Sequence, residues 1–130
     1  SPPRGSPVIE VGVDIVEIER VAAVLQRHGD RFRRRVYSDR EWAESGGRVA
    51  SLAARFAAKE AVVKALGSRR VSLREIQVLR SEDGKPSIAL EGRARLVADR
   101  LGVQSIAVSL SHSRRYAVAV AALQRKGDEE

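Results

Sequence analysis

Ser105-Ile106-Ala107-Val108-Ser109-Leu110-Ser111-His112-Ser113-Arg114-Arg115-Tyr116-Ala117-Val118-Ala119-Val120-Ala121-Ala122-Leu123 reads as two strands joined by a polar turn. Ile106, Val108 and Leu110 alternate with Ala107, Ser109 and Ser111, the period-two pattern of a strand with one buried face. Tyr116 to Leu123 is apolar on both faces, as a central strand requires, and Ser111 to Arg115 closes the pair into a hairpin. Upstream, Glu75 to Arg80 and Ser87 to Glu91 flank Asp83-Gly84-Lys85-Pro86, a second hairpin signal. Arg93 to Leu101 has helical spacing and stops at Gly102. Strands paired through short turns, with helices set apart, predict an α+β fold with antiparallel sheet and not a doubly wound one.

The first half supplies one strand and the longest helix. Val8 to Ile15 alternates Ile9, Val11, Val13 and Ile15 with Glu10, Gly12 and Asp14, so Asp14 ends the strand on its less apolar face. Ile18, Val21, Ala22 and Leu25 keep helical spacing. Ser38-Asp39-Arg40-Glu41 is a capping box that opens a short helix through Trp42. A long helix runs from about Arg48 to Leu66 and stops at Gly67. Ser1 to Pro7, with three prolines, reads as a flexible arm, and Gln124 to Glu130 as a charged tail, on a single domain of 130 residues.

A net charge of +7 and a pI near 10.7 imply an anionic partner: nucleic acid, a membrane surface, a phosphorylated cofactor or an acidic protein. The five aromatic residues are scattered and do not interleave with basic ones as a single-strand-binding platform requires. The absence of cysteine removes disulfides, thiolate catalysis and cysteine-bound zinc together. No apolar run approaches a membrane span and the first residues are too polar for a signal peptide, so the expected compartment is the cytoplasm, without membrane attachment. One domain of this size holds a real core but only a shallow groove, which makes a site between subunits plausible.

Within the long helix, Val49, Leu52, Phe56 and Val63 form an apolar stripe from which Glu60 projects. An unpaired carboxylate there costs several kcal/mol or is forced upward in pKa, so a cation, a metal or a hydrogen-bond donor is expected opposite it. Glu60 and Asp14 could meet across a helix and a strand end. Two close carboxylates share a proton or a divalent cation, and magnesium is held by one or two carboxylates with phosphate and water. The alternatives are a capping box Asp14-Ile15-Val16-Glu17 and a buried ion pair for Glu60. Lys59 and Lys64 flank Glu60, with Arg55 nearby, and would neutralise charge in phosphoryl transfer. His112 reads first as a turn residue, with a catalytic role as the alternative, and Gly84-Lys85-Pro86 reads first as a hairpin turn, with phosphate contact as the sharper alternative.

Gly12-Val13-Asp14-Ile15-Val16-Glu17-Ile18-Glu19-Arg20 resembles the first motif of the holo-acyl-carrier-protein synthases, the small 4′-phosphopantetheinyl transferases. Arg55-Phe56-Ala57-Ala58-Lys59-Glu60-Ala61, continuing to Lys64-Ala65-Leu66-Gly67, resembles the second. Phe32 to Tyr37 with Glu41, Gly84-Lys85-Pro86, and Val108 to His112 with Tyr116-Ala117 follow in the family's order. The resemblance implies magnesium-dependent transfer of 4′-phosphopantetheine from coenzyme A to a serine of an apo acyl carrier protein, with release of adenosine 3′,5′-bisphosphate. By position it implies Asp14 and Glu60 as metal ligands, and Lys64 and Lys59 as phosphate-binding. It implies Glu60 or a metal-bound water as the base, Arg20 as a carrier-protein contact, and Ser111, His112, Gly84, Lys85 and Pro86 around the adenosine bisphosphate. It further implies a homotrimer with sites between subunits, serving lipid metabolism such as fatty acid biosynthesis. The chain departs from the family at Ser68 to Glu75, a short segment with Leu73 where members commonly carry a tryptophan. A rival reading is a non-enzymatic basic domain that binds nucleic acid through Arg31 to Arg35 and Arg69-Arg70.

Overall fold

A computed structural model describes residues 3–128. In order, its elements are β1 (Val8–Glu17), α1 (Ile18–Val36), α2 (Asp39–Ser45), α3 (Val49–Leu66), a 3-10 turn (Leu73–Glu75), β2 (Ile76–Arg80), β3 (Pro86–Leu90), α4 (Gly92–Arg100), β4 (Val103–His112) and β5 (Tyr116–Arg125). β1, β5 and β4 form one antiparallel sheet in that order, and β2 pairs with β3 in a second. The α+β expectation holds, and the strand that is apolar on both faces is the central one.

Helix α3 lies against the inner face of the three-stranded sheet, where Ala117, Ala119, Ala121 and Leu123 of β5 are buried. It is apolar nearly all round: Ala57, Ala58, Ala61, Val62 and Ala65 join Leu52 and Val63 in the core. The stripe expected from sequence is therefore only part of its buried surface. Gly67 ends α3 in the left-handed region at φ 70°, where a side chain would be strained. Between β1 and α3 the backbones meet at Gly12, where a Cβ would run into the Ala61 carbonyl oxygen and the Ala65 nitrogen. Only glycine permits that approach.

Three expectations are corrected. The face of β1 that carries Ile9, Val11, Val13 and Ile15 does not pack into the core; these residues are 59, 62, 54 and 64 % exposed. Gly12, Asp14 and Val16, the other parity, turn inward, because α3 needs small residues at its closest approach. Asp14 is not a helix cap: β1 continues to Glu17, and α1 starts at Ile18 without a side-chain cap hydrogen bond. α1 continues past Leu25 to Val36 through a kink at Gly29, which carries Arg33 onto the Trp42 ring at 4.4 Å. Finally, β5 runs through Arg125, and Gly5 N donates to the Asp128 carbonyl, so the described parts of the arm and tail meet. The outermost residues of both lie outside the described range.

Candidate active site

Strand parity turns Asp14 toward α3, and one helical turn after Phe56 brings Glu60 to the same place. Both carboxylates line a cleft of about 460 Å³ with Glu17 and Arg20 on its polar rim and an apolar wall of Val21, Val24, Phe32 and Phe56. Lys64 Nζ donates to Asp14 Oδ1 at 3.0 Å and to the Val13 carbonyl at 2.8 Å. Asp14 thus has a cation, whereas among the described residues no ion pair holds Glu60. Partial burial, and then the neighbouring Asp14 charge, push the Glu60 carboxyl above the ordinary 4.5, against the pull of Arg69 and Lys64. The buried ion pair considered for Glu60 does not form.

Among the described residues, no group of three or more histidine, cysteine, aspartate or glutamate side chains is arranged around a metal position. A resident cation would draw on Asp14 and Glu60 alone and take its remaining ligands from water and substrate. That donor set is oxygen only and anionic, and it fits magnesium, which is commonly held by one or two carboxylates with substrate phosphates. It does not fit zinc, which takes three or four protein ligands.

Lys59 lies elsewhere than expected. Its ammonium is fully buried and donates to Glu41 Oε1 at 2.6 Å, the Ile76 carbonyl at 2.6 Å and the Leu73 carbonyl at 3.0 Å. All three donors are satisfied inside the core, so Lys59 does not reach a phosphate in the cleft. Burial pulls its pKa down to about 8, although Glu41 pulls the other way. Arg55 is buried too, with NH1 on Glu44 Oε1 at 3.2 Å and on the Val78 carbonyl at 2.6 Å. Residues one apart on a helix point about 100° apart, so with Glu60 facing the cleft Lys59 is carried round toward α2 and β2.

A second cleft, of about 670 Å³, is lined by Gly84, Lys85 and Pro86 together with Arg55, Arg80 and Ser109. Ser51, Ala54 and Arg55 bring α3 to this cleft, while Phe56 and Glu60 bring it to the first. Helical spacing puts those two sets about half a turn apart. The clefts therefore open on opposite flanks of α3. Ser111 and His112 are exposed at the end of β4 and line neither cleft. Arg20 is exposed on the rim of the first. The apolar wall went unread from sequence; its one local signal is Phe56 beside the Glu60 turn, because Val21, Val24 and Phe32 reach the cleft only through the packing of α1 on α3.

Residues 10–121 match the family described as the 4′-phosphopantetheinyl transferase superfamily. The chain belongs to that superfamily. It is 46 % identical to the holo-[acyl-carrier-protein] synthase of Dehalococcoides mccartyi over 90 % of this chain and 99 % of that one. It is also 46 % identical to the Moorella thermoacetica holo-[acyl-carrier-protein] synthase, over 95 % of this chain and 99 % of that protein. The complex of the Chronobacterium ammoniagenes synthase with coenzyme A superposes with a TM-score of 0.80 at 33 % identity, covering 91 % of this chain and 98 % of that chain. The chain is accordingly an enzyme of this kind, a phosphopantetheinyl transferase of the small holo-acyl-carrier-protein synthase type. Among the described residues, no helix is long and apolar enough to cross a membrane.

Proposed function

We propose that this enzyme transfers 4′-phosphopantetheine from coenzyme A to a serine of an apo acyl carrier protein in the cytoplasm, with magnesium, and releases adenosine 3′,5′-bisphosphate. One observation carries the reading: Asp14 and Glu60, from two elements far apart in sequence, face one cleft with Lys64 beside them and no cation on Glu60. A magnesium ion held there by Asp14 and Glu60 would neutralise the pyrophosphate of coenzyme A. Lys64 is half exposed and within one side chain's reach of the same region, so it turns from Asp14 to the phosphate oxygens on which charge grows. Glu60, at a carboxylate oxygen, or a water held beside it would accept the serine hydroxyl proton. The Val21, Val24, Phe32 and Phe56 wall excludes water from one side of the reacting atoms.

Arg20, on the rim, meets the acidic carrier protein, and the Gly84-Lys85-Pro86 turn with Ser111 and His112 receives the adenosine bisphosphate end. The opposed clefts support a site built from two chains, with the carboxylates from one and the turn from its neighbour. Such a head-to-tail contact closes into a ring, and we assign it three members on the family resemblance. The exposed Ile9, Val11, Val13 and Ile15 face, continued by Val120 at 42 % exposure, supplies the apolar surface a ring would bury. The nucleic-acid reading gains nothing from the structure: Arg33 stacks on Trp42 and Arg34 pairs with Asp30 at 3.9 Å. Incubation with coenzyme A, magnesium and an apo carrier protein tests the proposal by mass spectrometry. The expected result is a phosphopantetheine adduct on the carrier serine that excess chelator prevents; an unmodified carrier, or a chelator-insensitive reaction, refutes it.

A further inference from the structure

Lys59 sits in the middle of the second motif, next to Glu60, and has no place in the chemistry just described. Its surroundings are nevertheless a fully satisfied polar cluster in the core. The ammonium spends its three donors on Glu41 Oε1 and on the Leu73 and Ile76 carbonyls. Glu41 in turn accepts from the backbone nitrogens of Ser38 and Val78, each at 3.0 Å. One turn earlier on α3, Arg55 repeats the pattern: it donates to the Val78 carbonyl, and its partner Glu44 accepts from the Arg80 nitrogen at 3.0 Å. The edge of β2 away from β3 thus has no neighbouring strand and is paired instead by two acid–base pairs that bridge α2 and α3.

The rest of α3 is poorly suited to set its own rotation. Apart from Leu52 and Leu66, its packed apolar residues are alanine and valine, whose short side chains make few interlocking contacts that a small rotation would break. Side chains reach about 5–6 Å from a helix axis, so a rotation of about 20° moves a side-chain tip by about 2 Å. A displacement of about 1 Å at a catalytic group costs about 100-fold in rate. A buried ammonium tolerates no such slippage, because every alternative position leaves it short of partners.

We propose that the buried Glu41–Lys59 pair is a positioning device: it locks the rotation of α3 against β2 so that Glu60 and Lys64 point at Asp14. This rests on the phosphopantetheinyl-transfer reading for its activity readout but not for its metal-binding readout. Removing both charges at once leaves no unpaired buried ion, which is the costliest consequence of breaking such a pair. The double variant Lys59→Met with Glu41→Gln is therefore the test. The expected outcome is a cooperatively folded double variant whose kcat is at least about tenfold lower while KM for coenzyme A stays within about threefold. Its affinity for Mn²⁺ alone, titrated by electron paramagnetic resonance, falls at least about fivefold. A folded double variant with wild-type kcat and wild-type Mn²⁺ affinity overturns the proposal and makes the pair purely structural. If the double variant does not fold, Lys59→Gln, with too few donors for the three oxygens, carries the same expectations and the same refutation. A wild type that binds Mn²⁺ but transfers nothing defeats the transfer reading alone; the Mn²⁺ ratio still decides the pair.

Discussion

Gly12→Ala tests the contact on which the site depends most directly. The added methyl would meet the Ala61 carbonyl oxygen and the Ala65 nitrogen, which are backbone atoms of α3. No side-chain rotation relieves that overlap; β1 and α3 must separate. Overpacking of this kind costs about 1–3 kcal/mol, and a clash with two backbone atoms belongs at the upper end. For a chain of 130 residues, with about 2.1 cal/mol/K of unfolding entropy per residue, about 2–3 kcal/mol lowers the melting temperature by about 7–11 °C. The catalytic effect should exceed the thermal one. Asp14 rides on β1 two residues beyond Gly12 and Glu60 precedes Ala61 on α3, so a separation of about 1 Å enters the carboxylate spacing directly and removes about 100-fold from kcat. Calorimetry and transfer kinetics well below the melting temperature separate the two effects. A Gly12→Ala variant with wild-type melting and kcat would refute the claim that this contact sets the site's geometry.

Glu60→Gln should change the pH dependence of stability in chelator. The folded carboxyl titrates above the ordinary 4.5, so in that window the native state binds more protons than the unfolded one, and stability falls as pH rises through it. The glutamine variant lacks this loss and should gain on the wild type at neutral pH, and the two melting-versus-pH curves must diverge; parallel curves contradict the reading. Arg20→Glu should raise KM for the carrier protein at least about tenfold, about 1.4 kcal/mol, with KM for coenzyme A nearly constant, and added salt should weaken the wild type more than the variant. Carrier kinetics that ignore the substitution across a salt series place the docking face elsewhere. Val13→Asp, in the middle of the exposed β1 face, should convert the proposed trimer to a folded monomer that has lost transfer; sedimentation of an intact, active trimer would exclude that face from the interface.

Much of the fold was legible because its signals are local. Alternation in Ser105 to Leu123, the Ser38–Glu41 capping box and the Gly67 stop each depend on residues within a few positions, and each element formed where those residues placed it. The pairing of Asp14 with Glu60 could be anticipated only as a need, since a carboxylate on an apolar helix must face something. Lys59 and Lys64 show where that reasoning ends. They are identical in type and five residues apart on one helix, yet one is sealed in the core and the other reaches Asp14. Which of them meets solvent depends on where α2 and β2 pack, and nothing in the local spacing encodes that. The outward face of β1 was misread for a related reason: alternation marks two faces of a strand but not which one the core occupies. Gly12 decides that, because α3 comes this close to β1 only where the strand carries no side chain. Sequence alone thus determined the elements and the residue types of the site, through forces acting over a turn or a hairpin. Which flank each charge occupies and which apolar face stays open were decided by the packing of α3 between its two sheets, where close-range sterics and buried hydrogen bonding link residues dozens of positions apart.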